Sequence, residues 1–414
     1  MSETIHHHRL ENGLVVVVDT VAGVRSAAFS ILVPAGAAFD SDQREGTASV
    51  LCDMVLRGAG PRNSRQIVED LDNLGVERGQ GVSSSHTNFG GATLASNLPA
   101  ALEITADVLR RPHLPGDQLE AARSLCLQEL EALEDEPQQK VMVELRRRYY
   151  PQPWGRPAEG SKEGLQVIVA ADLKRQFDVG YRPNGTIIAV AGNVDWPSTR
   201  DLVEKLFGDW SAADEPQVAE KPAGPQWDHL QQETAQTQIG IAYESVPYND
   251  PEYYRAAGAI GILSGGMSAR LFTEVREKRG LCYSVHAGYH TLLNRASVLC
   301  YAGTTPERAQ ETLEVTLSEL ERLAEGIDVT ELDRVKARVK SSLIMQQEST
   351  SARAATLARD WYHLGRARPM DEIRRHVDAL TCDDLIEHLR QHPPGNYTVV
   401  TLGPKPLEMP VGIP

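Results

Sequence analysis

The chain predicts an α+β fold made of two copies of one domain, and three observations carry that expectation. The first is long-range self-similarity. Leu102–Thr105 (LEIT), taken as opening a helix, recurs as Leu313–Thr316 (LEVT). DQLEAARSLCLQEL from Asp117 recurs as TELDRVKARVKSSL from Thr330, and Asn184–Gly192 (NGTIIAVAG) recurs as Asn396–Gly403 (NYTVVTLG). The displacement stays between about 210 and 213 residues, which marks a duplication. The second observation is the alternation of β-branched stretches, such as Ser26–Val33 and Gln238–Tyr243, with longer stretches of helical spacing. The third is Ser211–Gln226 (SAADEPQVAEKPAGPQ), rich in Ala, Pro and charge and poor in large apolar residues, which reads as a linker. The chain therefore divides into an N-terminal domain 1–210, a linker 211–230 and a C-terminal domain 231–414. Two similar domains joined in this way predict an open clam with facing concave sides.

Taken in order, the elements follow from local chemistry. A polar lead-in carrying His6, His7 and His8, read as native and not a tag remnant, precedes a strand over Gly13–Val18. A helix after Gly46 has apolar residues at Val50, Leu51, Met54 and Val55. A second begins near Ser64, buries Ile67, Leu71 and Leu74, and ends at Gly75 as a left-handed cap. Asn97 and Pro99 suit the N-cap and first turn of a third. In the second half a helix through Leu271 and Val275 stops at Gly280, and a strand begins near Tyr283.

At 414 residues, 41% hydrophobic and 24% charged, each domain can bury a full core. No apolar run approaches the roughly 18 residues of a membrane-spanning helix, and the N-terminus has no apolar segment of signal-peptide type. The expected location is the cytoplasm. A net charge of −15 argues against nucleic acid or an anionic membrane as partner and makes a basic or neutral peptide the easier guest. Five cysteines, Cys52, Cys126, Cys282, Cys300 and Cys382, are odd in number, scattered and without C-x-x-C pairing. They suit a reducing compartment, and no bridge is assigned.

Leu271–Val285 (LFTEVREKRGLCYSV) resembles the substrate-clamping segment of the insulinase/pitrilysin zinc peptidases, the M16 family. The likeness extends to LENGLVV at Leu10, the ALEITADVL helix, the E-D-E-P helix end and the flank SARLFTEVREKRGL. It implies two homologous α/β-sandwich domains like those of insulinase and the mitochondrial processing peptidase. In that family an H-x-x-E-H helix in the first domain supplies two histidine ligands on one helix face and a glutamate base, with a third ligand, Glu, from a later helix. Aligned through Gly46, Ala48 and Leu51, this chain reads GTASVLCDM and offers Ser49, Cys52 and Asp53 at those three positions. Glu129 stands where the third ligand belongs, and Ala122 replaces an acidic residue that usually supports it.

Ser49 is a poor zinc ligand, and Cys52 replaces the carboxylate that would take a proton from bound water. Cys52, Asp53 and Glu129 are each able to bind metal. On a helix, however, adjacent residues point about 100° apart, so Cys52 and Asp53 are not expected to converge with Glu129 on one ion. The expectation is no metal in this chain, with a buried thiol beside two solvated or capping carboxylates. His86 and His113 are read as structural or solvent-facing.

The resemblance also implies roles for Arg276 and Tyr283, seven residues apart: both would donate hydrogen bonds to the substrate carbonyl and its developing oxyanion. The plain alternative is that Arg276 pairs with a glutamate of its own helix and Tyr283 is an ordinary half-buried strand residue. Arg279 is the nearest competitor, at the wrong spacing to Tyr283.

Family members of this half-length commonly work as pairs, which implies a non-catalytic subunit. It would dimerise with an H-x-x-E-H-bearing paralogue, which brings the zinc, to enclose unstructured peptides and complete the partner's active site; a homodimer is the other association. The alternative is a scaffold or core protein of a larger complex with no peptidase role. A third is an autonomous hydrolase using a remodelled metal or Cys52 as nucleophile, although no histidine lies within a few residues of Cys52.

Overall fold

The computed structural model describes residues 4–409. In chain order the first half runs β1 (Thr4–Arg9), β2 (Val15–Thr20), β3 (Ser26–Val33), α1 (Thr47–Met54), the short hairpin β4 (Gly58–Ala59) and β5 (Arg62–Asn63), and α2 (Ser64–Asn73). It continues through β6 (Glu77–Val82), β7 (Thr87–Leu94), α3 (Leu98–Arg110), α4 (Leu119–Glu134), α5 (Pro137–Tyr149), α6 (Lys162–Val167), α7 (Ala170–Gly180), β8 (Ile187–Gly192) and α8 (Trp196–Phe207). The second half holds β9 (Trp227–Gln231), β10 (Thr237–Ser245), α9 (Tyr253–Ser264), β11 (Cys282–Leu292) and β12 (Arg295–Thr304). Then follow α10 (Ala309–Arg322), α11 (Val329–Glu348), α12 (Thr350–Leu364), α13 (Met370–Ala379), α14 (Cys382–Gln391) and β13 (Thr398–Gly403). Among the described residues no helix is long and apolar enough to cross a membrane.

The duplication is visible in the sheets. One has the order β1-β2-β8-β3-β7-β6 and the other β9-β13-β10-β12-β11, so that among the described residues β1 is the one strand of the first sheet without a counterpart. The pairing directions agree: β2 with β8 and β9 with β13 are parallel, while every remaining pair in both sheets is antiparallel. LEIT and LEVT occupy matching places, each beginning at the fifth residue of its helix, α3 or α10, and so lying inside the helix and not at its opening.

Chain order does not decide which helices belong to which sheet. The residues separate into two compact units, the first Met1–Ala132, Gln152–Lys221 and Met345–Pro369, the second Leu133–Pro151, Pro222–Ile344 and Met370–Pro414. Against the division at 1–210, 211–230 and 231–414, two helices change sides: α5 belongs to the second unit and α12 to the first. The reason lies in the strands. In β2, Val16 and Val18 join the large core that includes Leu51 and Leu102, whereas Val15 and Val17 on the opposite face need another cover. Ala354, Leu357 and Ala358 of α12 supply it. In the second unit Val141 and Leu145 of α5 cover Ala242, Val400 and Leu402 in the same way. The bare backbone of Gly240 lets α5 approach, since a Cβ there would stand 3.3 Å from Leu145 Cδ2.

Most expected helix ends are where the sequence places them, with Gly75 and Gly280 at φ +62° and +61°. Asn97 differs. Its backbone is helical and its side chain caps nothing; it donates instead to the Leu74 main-chain oxygen at 3.0 Å, tying the end of α2 to the start of α3. Pro99 does sit in the first turn. The linker is shorter than 211–230, because β9 already begins at Trp227. His6 and His7 belong to β1, their rings packed on Trp196 at 5.3 Å and Trp361 at 4.8 Å.

Candidate functional site

Arg276 lies in the second unit on a π-helical turn, Phe272–Glu277, whose widened bonding shows in Lys278 N donating to Thr273 O at 2.9 Å. Such turns recur at functional positions because they shift side chains out of the regular helical register. Leu271 and Val275 are fully buried and anchor the turn. Gly280, left-handed, then reverses the chain so that β11 begins two residues later. Tyr283 is the extra residue of a β-bulge: Cys282 and Ser284 face the consecutive residues Thr304 and Gly303. A bulge re-aims the side chain it carries, and Tyr283 is 76% exposed, not half-buried.

The two side chains meet. The Arg276 guanidinium carbon stands 4.5 Å from the Phe272 ring centre and 5.2 Å from that of Tyr283, so the cation rests between two aromatic faces. Among the described residues no carboxylate pairs with it and its N–H groups make no hydrogen bond. Glu274, the nearby acid of the same turn, is taken: Lys278 binds Oε1 at 2.6 Å and Arg279 binds Oε2 at 3.0 Å and the main-chain oxygen at 2.8 Å. Those bonds, Lys278 first, hold the Glu274 carboxyl below its usual range. Burial pushes the adjacent Cys282 thiol up to about 11, with the Arg276 charge pulling the other way. The pair thus offers a planar cation and a phenol, both with unused donors, to whatever approaches that edge of the sheet.

The degenerate motif lies in the first unit. The start of α1 is held by Asp40, whose carboxylate accepts from Gly46 N at 2.8 Å and Ala48 N at 2.9 Å, although burial still lifts its pKa to about 7. Each motif position is committed elsewhere. Ser49 donates to the Ala158 main-chain oxygen at 2.6 Å, and Asp53 is paired with Arg57 at 2.5 Å. The Cys52 thiol is pushed up to about 12, by burial first and then by Asp53, Cys126 and Glu129, so it stays protonated at neutral pH. Glu129 is exposed. Zinc needs several deprotonated donors converging within about 2.0–2.3 Å of one point, and this set does not fit it. Ala122 is fully buried and adds no polar support. His86 is buried edge-on to Tyr362, and His113 bonds the Gly60 main-chain oxygen at 2.8 Å.

Two features escape the sequence reading. Phe272 completes the cradle of Arg276, its signal being an aromatic four residues before the arginine. The other is Glu252, His388 and His392, which bring their donor atoms within 4.8 Å of one another, the one such trio among the described residues. Only the spacing of the two histidines on α14 hints at it.

Comparison with known proteins agrees with this architecture. The family model for insulinase (peptidase family M16) matches residues 15–161, and the model for the peptidase M16 inactive domain matches residues 168–339. An uncharacterized zinc protease of Mycobacterium tuberculosis is 28% identical over 404 residues, covering 95% of this chain and 92% of that protein. The uncharacterized zinc protease YmxG of Bacillus subtilis is 26% identical over 405 residues, covering 97% and 98%. Among solved structures, a peptidase M16 inactive domain from Pseudomonas fluorescens superposes with a TM-score of 0.88 at 22% identity, covering 98% of this chain and 99% of that one. A protease from Helicobacter pylori gives the same TM-score at 20% identity, covering 97% and 100%. With both halves matched in succession and the two sheets repeating one topology, the chain belongs to the insulinase family of peptidases, M16.

Proposed function

We propose that this chain is a non-catalytic subunit of a cytoplasmic M16 peptidase, presenting Arg276 and Tyr283 to a peptide held in the active site of an H-x-x-E-H-bearing partner. The observation that carries the reading is the unpaired Arg276 guanidinium stacked between Phe272 and the outward Tyr283. A salt bridge would have spent its donors. Held by aromatic faces, it keeps them for a carbonyl oxygen, and the Tyr283 hydroxyl can join it as negative charge develops there. The partner supplies zinc and the general base; this chain contributes hydrogen-bond donors that strengthen as the carbonyl becomes tetrahedral. The net charge of −15 favours neutral or basic unstructured peptides.

The test is reconstitution. The purified chain alone is expected not to cleave unstructured peptides, and mixing with an H-x-x-E-H paralogue from the same genome is expected to give zinc-dependent cleavage that neither shows alone. A stable complex without any such gain would replace this reading by the scaffold role. Chelator-sensitive cleavage by the chain alone would restore the autonomous hydrolase.

A further inference from the structure

His388 lies in the last turn of α14 and His392 is its C-cap, four residues on, so their rings lie side by side with centres 4.9 Å apart. Glu252, the N-cap residue of α9, turns Oε2 toward both, 2.8 Å from His388 Nδ1 and 3.6 Å from His392 Nε2. Zinc bound at about 2.0–2.2 Å by imidazole nitrogen and carboxylate oxygen sets neighbouring ligands roughly 3.4 Å apart in a tetrahedron. Small side-chain movements therefore suffice to seat an ion among three atoms already within 4.8 Å of one another.

The surroundings favour the ligand state. Arg255 binds the other carboxylate oxygen, Oε1, at 2.6 Å and also holds Asp384 at 3.1 Å, which fixes the orientation of Glu252 and leaves Oε2 to the imidazoles. His388 is buried and its Nδ1 lies 2.8 Å from Glu252 Oε2, so an ion entering between them would displace the proton they share and take the Nδ1 lone pair in its place. The His392 side chain is 45% exposed, which leaves room for water as a fourth ligand. His392 Nε2, 3.6 Å from the same oxygen, is beyond hydrogen-bond reach yet within the span of two ligands that share one ion.

We propose that Glu252, His388 and His392 form a site for a divalent transition metal, zinc first, that clamps the C-terminal end of α14 to the N-terminal end of α9. It is separate from the degenerate motif and from Arg276 and Tyr283, and it holds or fails independently of the peptidase role.

Chelator-stripped full-length protein titrated with zinc ions against a chromophoric competitor is expected to take up a single equivalent, raising the thermal midpoint and shifting two histidine imidazole resonances. His392→Ala, at a partly exposed position that leaves the core intact, is expected to weaken binding at least tenfold and abolish the thermal shift, and Glu252→Gln to weaken it similarly. Glu129→Ala is expected to change nothing. Undiminished binding in His392→Ala, or no zinc uptake by the parent chain, overturns the proposal.

Discussion

Arg279 is bonded to Glu274 twice, at 2.8 Å to its main-chain oxygen and 3.0 Å to its carboxylate, and this leaves Arg276 as the uncommitted cation of the turn. Lys278 takes the other carboxylate oxygen, so no acidic oxygen of Glu274 remains. The two arginines are one helical turn apart in sequence and opposite in circumstance.

That difference separates their variants in the reconstituted peptidase. Tyr283→Phe removes one hydroxyl and keeps the ring that supports Arg276, so kcat is expected to fall roughly ten- to a thousandfold with little change in subunit affinity. Arg276→Ala is expected to worsen both kcat and KM, because a carbonyl contact exists in the ground state as well. Arg279→Ala should be nearly silent. Equal impairment by the two arginine variants, or full activity of Tyr283→Phe, would refute the assignment.

Restoring the motif tests whether the replaced positions on α1 are what keep zinc from that helix. Ser49→His, Cys52→Glu and Asp53→His together replace a hydrogen-bonded hydroxyl, a protonated thiol and a carboxylate paired with Arg57. In a His392→Ala background, elemental analysis of the triple variant is expected to show about one zinc per chain, lost again on adding Glu129→Ala. Retention of that zinc without Glu129 would show that another residue completes the site.

Two buried histidines and one buried aspartate set opposing pH dependences in the first unit. Burial lowers His86 to about 3 and His363 to about 4, against about 6.5 in an unfolded chain. Their contribution is full above pH 6.5 and is lost on acidification, because the unfolded chain takes up protons that the folded unit refuses. Asp40, raised to about 7, acts in reverse: between pH 7 and about 4 the folded form binds the extra proton, so acid favours folding. Thermal midpoints measured from pH 7.5 to 4.5 should therefore fall less steeply for His86→Gln than for the parent, and more steeply for Asp40→Asn. Parallel curves for all three proteins would show that these groups do not titrate as their burial implies.

The exchange of helices predicts which fragments fold. A fragment of residues 225–414 lacks α5 and leaves Ala242, Leu299, Tyr301, Val400 and Leu402 uncovered, so it is expected to aggregate when expressed alone. In the full chain, Leu145→Ala is expected to cost about 2–5 kcal/mol, because a fully buried side chain between helix and sheet is removed. Circular dichroism and light scattering decide: a monomeric fragment melting cooperatively near the full chain's midpoint would contradict the exchange.

The sequence by itself determined what depends on local periodicity and backbone chemistry. It contained the duplication, the strand Ser26–Val33, the strand over Gln238–Tyr243 that the structure extends to Thr237–Ser245, the helix after Gly46 and the helix-ending glycines at 75 and 280, because side-chain alternation and φ preference act within a few residues. It also placed Arg276 and Tyr283 on one short segment. Tertiary structure decided the choices among partners that the sequence leaves equivalent. α5 and α12 each carry a small apolar face that could cover either sheet, and only packing assigns them across the halves. Asn97 could have capped α3 and instead bonds Leu74. Glu274 could have paired with Arg276, and the geometry of the π-helical turn gives it to Arg279 and Lys278. Glu252 and His388 are 136 residues apart, and no local pattern brings them within 2.8 Å; that contact exists because α9 and α14 pack in one core, where burial selects the hydrogen-bond partner from what the fold has brought near.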